Sequence, residues 1–358
     1  MHVRLCKEIA QLEAVWLKLQ SEGTAHVFQT FGWVKDWMET VGKKQRVEPF
    51  IVIVSKVVTD SPSLIIPFAI RRIGGVRILT MMGGFHADYA GAVVGKDFCA
   101  DGVWDEIATL ARKNHVDLIW VRNIPEKIGR LRNPLFSESC LPNDVAHAVS
   151  IAGSWQDFHE LRVKSRIRAD SRRQMKRLSE IGELKFQIAE DENERKFLTE
   201  VMIEQKRARY REMEVRDQFD ESVNAEFYFR RNEGNCAPLP HVSALRLDDR
   251  VIAAHFGEVW GNRFYYLMPS HDQEWEKYSP GRLLLESLLK RCFSEGLEIF
   301  DFTGGGEAYK LEWANVEVQL FKYELSLTLK GKLFMMASDY YRKHGRRILS
   351  SVGKIWKR

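Results

Sequence analysis

From residue 241 to residue 302 the chain spells three strand-sized runs, a capped helix and a fourth strand in unbroken succession, and few folds accept that order. Residues 241–247 and 251–259 flank Asp248-Asp249-Arg250, the pattern of a hairpin. Residues 263–268 follow a second tight turn at Trp260-Gly261-Asn262. The polar loop 269–279 leads into a helix over 280–295, and 297–302 reads as a buried strand behind it. A helical crossover of this kind returns the last strand parallel to the one before the helix.

The helix itself, within YSPGRLLLESLLKRCFSEG (278–296), is the most informative stretch. Ser279 is placed to cap it, Pro280 suits the first helical position, and Gly296 suits a left-handed stop. Gly281 is out of place in a first turn, where glycine costs up to ~1 kcal/mol. It offers open approach to backbone N–H groups at the positive end of the helix dipole, a place that suits pyrophosphate, with Arg282 adding charge. An ordinary capped helix after a loop is the alternative reading.

Elsewhere helix, strand and turn patterns alternate, so the fold class is α/β with a mixed sheet. The 358 residues suit two domains or three. At 45% hydrophobic and 29% charged the composition excludes a disordered or fibrous chain. Residues 29–41 read as an aromatic-rich helix. Residues 50–58, 64–71, 77–80 and 116–121 read as strands, and MGGFHADYAGAVV (82–94) as a glycine-broken loop. Weak patterning from 124 to 143 places a junction near 140–155, giving modules over 1–145 and 146–326 and a tail over 327–358. Ser154 is placed to cap the first helix of the second module. Five scattered cysteines, none in a C-x-x-C pair, argue against a metal ribbon or a disulfide scaffold; no metal is expected. No apolar run approaches the ~20 residues of a membrane helix, so a cytoplasmic protein is expected.

The net charge of +5 is uneven. Residues 326–358 hold nine Lys/Arg and one acid, and 162–177 hold eight Lys/Arg against Asp170. This argues for local recognition of anions and against DNA binding. The tail reads as a solvated basic end, as an amphipathic helix in peripheral contact with an anionic membrane, or as a helix packed on its own protein.

The order hairpin, strand, open-ended helix, parallel strand is that of the GNAT acyltransferase core. More locally, Pro280–Leu284, Asp301-Phe302, Gly304–Gly306, Tyr309-Lys310 and Trp313 resemble the acetyltransferase family named for the cellulose-biosynthesis proteins CelD and BcsL. VKSRIRADSRRQMKRLSEIGELKFQIA (163–189) looks like that family's basic helix, and QKRARYRE (205–212) like its second-helix motif. FQTFGWVKDW (28–37) and GGFHADYAGAVV (83–94) resemble a degenerate first GNAT-like module, and Fem-type aminoacyltransferases are distantly similar. The full Arg/Gln-x-x-Gly-x-Gly/Ala loop of typical GNATs is missing. The resemblance implies tandem modules, the second with the better preserved acyl-CoA site. The strands 263–268 and 297–302 would splay, with acetyl-CoA held by Tyr266, Leu267, Met268, Ser279, Pro280, Gly281 and Arg282.

Five residues are candidates for the chemistry. Asp301 shares an apolar face with Leu297 and Ile299 near a strand end, where it either titrates or holds the glycine turn. His255 and Glu258 differ in parity on one strand, so they point to opposite faces and are no pair without a bulge. Each has a structural alternative, a packed histidine and a salt-bridged acid. Tyr309 follows the glycine turn, and resemblance to Fem-type enzymes implies donor contact for Lys310. For the acceptor, a sugar or glycan precursor, the candidates are Arg166 and Arg207 as anion contacts and Trp275 and Tyr278 as stacking platforms. The function implied is acyl-CoA-dependent N-acyl transfer in envelope or exopolysaccharide synthesis. The alternatives are a Fem-type enzyme using aminoacyl-tRNA and a non-catalytic nucleotide-binding or membrane-associated regulator.

Overall fold

The structure is a computed structural model describing residues 2–57, 61–96, 98, 103–234 and 237–348, with side chains to Tyr341. Cys99, Cys236 and the end of the tail, 349–358, lie outside the described residues. The amino half begins with β1 (His2–Cys6), α1 (Glu13–Glu22), α2 (Phe31–Trp37), β2 (Glu48–Ser55), β3 (Leu64–Ile73) and β4 (Val76–Met81). It continues through β5 (Val93–Val94), α3 (Val103–Lys113), β6 (Leu118–Pro125), β7 (Lys127–Ile128), β8 (Leu131–Arg132) and β9 (Leu141–Ser150). The carboxyl half starts with α4 (Trp155–Arg162), α5 (Ser165–Ser179), β10 (Leu184–Ile188), α6 (Glu192–Glu212) and α7 (Ser222–Asn232). It then holds β11 (Pro240–Leu247), β12 (Arg250–Trp260), β13 (Arg263–His271), α8 (Pro280–Ser294) and β14 (Ile299–Gly304). The last elements are α9 (Ala308–Trp313), β15 (Val316–Ser326) and α10 (Leu329–Ile348).

One mixed sheet runs the length of the described chain, in the order β1-β2-β3-β4-β6-β15-β9-β14-β13-β12-β11-β10, with β5 beside β3. The halves exchange their last strands. β9 leaves the amino half to pair with β14, and β15 returns to lie between β9 and β6. The expected boundary at 145/146 therefore falls inside β9, a central strand. Its polar start, Leu141-Pro142-Asn143-Asp144, lies on exposed or half-exposed backbone and hides the strand from an apolar-run reading, while Ala146, Ala148 and Val149 are buried. The helix expected over 29–41 is split by a 3₁₀ turn before Phe31 and continues as a π-turn after Trp37.

Three large cores form around the sheet. α3 covers one face of the amino half, its Ile107 in one core with Phe50, Leu64 and Phe68, and α8 covers one face of the carboxyl half, its Leu284 and Leu288 in one core with Phe300 and Trp313. The third core belongs to both halves: Trp16, Phe28, Trp33 and Trp37 meet Leu198, Met202, Phe227 and Phe256. Buried aromatic area of this size dominates the packing energy, at ~25 cal/mol per Å². Within it the buried Arg231 of α7 donates to Asp36 of α2 at 2.7 Å and to Glu258 of β12 at 3.0 Å. Glu258 depends on that guanidinium for compensation, and Asp36 shares it with Arg230 at 3.7 Å, so the three elements are held in register.

α10 packs Phe334 and Met335 on Val76, Ile78 and Leu118 of its own sheet, so of the three readings of the tail its start takes the self-packing one. Leu329, Leu333, Met336 and Tyr340 are exposed. Among the described residues no helix is long and apolar enough to cross a membrane.

Candidate active site

β13 and β14 are parallel and pair through only three positions, Arg263↔Ile299, Phe264↔Phe300 and Tyr265↔Asp301. Beyond Tyr265 they part. β13 stays with β12 as far as His271, and β14 follows β9. The splay expected between these strands is present. A cavity of about 380 Å³ opens in the fork, lined by Tyr266, Ser270, His271, Ser279, Gly281, Arg282, Tyr309 and Trp313 among others.

The first turn of α8 forms one wall of the cavity. Ser279 does not cap with its side chain; its backbone is left-handed at φ 53°, and its carbonyl takes the N–H groups of Arg282 and Leu283. A Cβ at Gly281 would meet only His271, at 3.5 Å, so packing does not demand glycine there. Arg282 is no mobile charge, because Asp170 of α5 binds it. Gly296 is left-handed at φ 69° and ends the helix turn as expected, and Ser154 caps α4 as expected, accepting from Asp157 N–H. Tyr266 belongs to the core under α8 and lines the cavity, whereas Leu267 and Met268 pack their side chains on the shared core and do not line it. Leu267 is the extra residue of a bulge, since Phe256 pairs with Met268 and Gly257 with Tyr266.

The residues proposed from sequence for catalysis separate into two groups. Asp301 is fully buried and spoken for: it accepts from Tyr89 Oη at 2.8 Å, Arg263 Nη1 at 2.5 Å and Thr303 N–H at 2.8 Å. The last bond holds Thr303 at φ 60°, a left-handed conformation costly for a β-branched residue. Glu258 is fully buried with Arg231, and burial pushes its carboxyl up to about 7 against the pull of that arginine. His255 is enclosed, stacked on Tyr266 at 4.5 Å, with burial and then His241 and Lys206 holding its pKa well down. Its ring folds over Gly257, where an added Cβ would stand 2.4 Å from Cε1. His255 and Glu258 face opposite ways, despite the bulge, because the extra residue is on β13.

Of the remaining two, Tyr309 lines the fork, whereas Lys310 does not and is bound into the glycine turn beside it. Tyr309 lines the cavity, and burial raises its phenol above the ordinary range. Lys310 is buried, donating to the Gly304 carbonyl at 2.5 Å and pairing with Glu307 at 2.9 Å. Gly305 must be glycine: φ is 107°, and a Cβ would stand 2.5 Å from Glu307 Oε2.

Two residues that sequence reading passed over join this turn. Asp88, from the amino half, interacts with Thr303, and burial followed by the charges of Asp301 and Glu307 raises its carboxyl to about 6. Lys206 of α6 is half-buried near Lys310 and Glu307, and burial lowers its ammonium to about 8. HADY (86–89) and QKRARY (205–210) held both residues within quoted motifs, but only the fold brings them to one turn.

The acceptor candidates are dispersed. Arg166 is exposed on α5, and Arg207 is tied to the Phe219 carbonyl at 2.9 Å. Trp275 and Tyr278 are half-buried, and Tyr278 carries Arg177 and Lys277 over its ring at 5.2 and 5.1 Å, so that face is not open to a sugar. Cys292 is buried within α8, with its thiol raised above the ordinary range by burial.

Residues 165–311 match the protein family described as "Acetyltransferase (GNAT) domain". The carboxyl half thus carries a GNAT-type acyltransferase domain. Among solved structures the chain is similar to FemX, with a TM-score of 0.60 and 11% identity over 91% of this chain and 98% of that one. It is also similar to a conserved protein of unknown function from Bacteroides thetaiotaomicron (TM-score 0.58, 10% identity, 91% and 100% covered). A third is the C-terminal domain, DUF2156, named for a lysylphosphatidylglycerol synthetase of Agrobacterium fabrum (TM-score 0.55, 12% identity, 93% and 97% covered). These likenesses extend the shared fold across both halves. No curated protein matches the chain. Among the described residues no group of His, Cys, Asp and Glu is placed to hold a metal.

The raised carboxyl of Asp88 carries a sign. Between its usual value of 3.8 and about 6 the folded chain holds a proton that the unfolded chain releases. Stability therefore falls as pH rises through that window, and above it Asp88 is a standing cost. Asp88→Asn should stabilise the protein by on the order of 1–2 kcal/mol at pH 7 and leave it little changed at pH 4. Urea denaturation at the two pH values measures this; a variant less stable than wild type at pH 7 would contradict it.

Proposed function

We propose that the carboxyl half binds acyl-CoA, with acetyl-CoA the first choice, in the β13–β14 fork and transfers the acyl group directly to an amine. The observation that carries this reading is the fork itself, a free strand edge leading to a helix end without a side-chain cap. The pantetheine amides pair with the backbone edge of β13, and the pyrophosphate rests on the first turn of α8. The acyl carbonyl then lies toward Tyr309 and the Gly304–Gly306 turn.

The amine attacks that carbonyl, the C–N bond forms, and the C–S bond breaks as the tetrahedral intermediate collapses. The attacking nitrogen must lose a proton and the departing CoA thiolate must gain one. In this reading Asp88 accepts the first and Tyr309 supplies the second. Lys310 holds the glycine turn through Gly304, and Lys206 adds positive charge where negative charge develops. Asp301 acts as a positioning residue. No acyl-cysteine is needed, since Cys292 is packed away from the fork.

The acceptor class follows from the sequence resemblance to the CelD- and BcsL-type family: an amino sugar or related precursor of envelope or exopolysaccharide. A second reading exchanges the donor for aminoacyl-tRNA. The observation in its favour is the exposed basic face of α5, with Arg166, Arg172, Arg173 and Lys176, beside the fork. Steep salt dependence of donor binding would select it over acyl-CoA. The exposed stripe Leu329, Leu333, Met336 and Tyr340, with the basic end beyond it, is proposed to touch an anionic membrane from the cytoplasmic side.

Gly281→Glu should leave the thermal midpoint near wild type, since only His271 stands near the new Cβ, and should weaken CoA by a factor of about 100 or more by placing a carboxylate where the pyrophosphate rests. Equal CoA affinity in a calorimetric titration would remove the donor site from this helix end. The transfer rate should rise through pH about 6 as Asp88 loses its proton, and a rate flat from pH 5 to 8 would exclude Asp88 as the base. The full chain should sediment with phosphatidylglycerol vesicles and a chain ending at Ser326 should not; equal sedimentation would remove the tail contact.

A further inference from the structure

The amino half contains a second fork in the place that mirrors the first. β4 and β6 are parallel and pair only through Ile78↔Leu118 and Leu79↔Ile119, then part. A cavity of about 640 Å³ opens there, lined among others by Arg71, Thr80, Tyr89, Trp120, Arg122 and Asn143. That volume suits a small molecule the size of a nucleotide.

Arg71 distinguishes this cavity from a mere gap in packing. Its neighbours Arg72 and Arg77 both pair with Glu48, at 2.8 and 2.9 Å. Among the described residues half-buried Arg71 meets no carboxylate or carbonyl; burial alone acts on it and lowers its pKa. Arg122 lies over the Trp120 ring at 5.1 Å, and the buried Trp120 Nε1–H has no acceptor. The one acid on the rim, Asp144, accepts its own neighbour's N–H from Val145 and leaves Arg71 untouched. Holding a guanidinium half out of water with no counter-charge is costly unless an anion arrives to meet it. The planar fork of arginine fits phosphate oxygens in pairs, and two arginines with an indole donor suit a phosphate group better than a single carboxylate.

The cavity also has a direction. Ala87 and Tyr89 line it, and they flank Asp88, whose carboxyl reaches the glycine turn of the other half. A molecule seated on Arg71 and Arg122 therefore lies alongside the residue that faces the transfer site.

We infer that this second fork binds the phosphate of a phosphorylated small molecule, a sugar phosphate or nucleotide-linked sugar, and that this molecule is the acyl acceptor. Its role as acceptor rests on the acyl-transfer reading; the anion site stands without it.

The test is a calorimetric titration of the full chain with inorganic pyrophosphate at constant ionic strength, with malonate as the carboxylate comparison, in the presence and absence of saturating CoA. Pyrophosphate should bind more tightly than malonate and should still bind when CoA is present. Arg71→Gln and Arg122→Gln should each weaken it by about tenfold or more. Arg71→Gln should also leave the thermal midpoint unchanged or raise it, because the replaced group has no partner to lose. Unchanged pyrophosphate affinity in both variants would overturn the proposal, as would displacement of pyrophosphate by CoA, which would place the anion on α8. Tighter binding of malonate would overturn the assignment to phosphate. Should CoA itself not bind, the acyl-donor assignment falls, and wild type against Arg71→Gln decides the second fork by the same affinities.

Discussion

The buried carboxylate of Asp301 fixes the geometry on which the site depends. It stands at the last paired position of β13 and β14, so the two strands part immediately after it. One oxygen takes Tyr89 from the amino half and the N–H of Thr303; the other takes Arg263 from the neighbouring strand. Three donors satisfy this buried side chain, and the bond from Arg263 is of the stronger, charge-assisted kind. The same side chain thus closes the paired segment, bends the chain into the glycine turn and ties in the opposite half. Asp301 stands in the middle of β14 rather than near the strand end expected from sequence, and of the two roles left open for it the geometry fits the holding of the turn.

The rest of the architecture distributes the site between two halves. Asp88 and Tyr89 come from the amino half, while Thr303, Lys310 and Lys206 come from the carboxyl half. Their relative position is kept by the shared aromatic core and by Arg231 between Asp36 and Glu258. A buried ion set of this sort adds little net stability but makes misalignment expensive, because displacing Arg231 would leave Glu258 unpaired and Asp36 with only Arg230 at 3.7 Å. Glu258, which its position alone made a candidate acid, is thereby explained as part of the frame.

The carboxyl half was the more legible in sequence, and the reason is local. Hairpin turns, Pro280 at a helix start, Gly296 at its end and the glycine run at 304–306 are determined by near neighbours, so they can be read one segment at a time. The splay of β13 from β14 was implied by the resemblance to the GNAT core, and the three-position pairing agrees with it. What escaped was long-range. Asp88 and Lys206 look like ordinary polar residues until the halves meet, and β9 has too polar a beginning to advertise a central strand. Ser279 shows the limit of a local rule: serine is a good capping residue, yet here the backbone takes a left-handed turn and the side chain makes no cap. The aromatic pair Trp275 and Tyr278 shows another, since nothing local reveals that Arg177, on a separate helix, lies over Tyr278.

The exchange of final strands has a consequence for synthesis. β6 is complete at Pro125, yet its neighbour β15 begins at Val316, so nearly two hundred residues must leave the ribosome before that edge acquires its permanent partner. During this interval a nascent amino half exposes unsatisfied backbone along one side. The exposed backbone is a site for chaperone capture or for wrong pairing with another growing chain, and maturation of the first module waits on translation of the second.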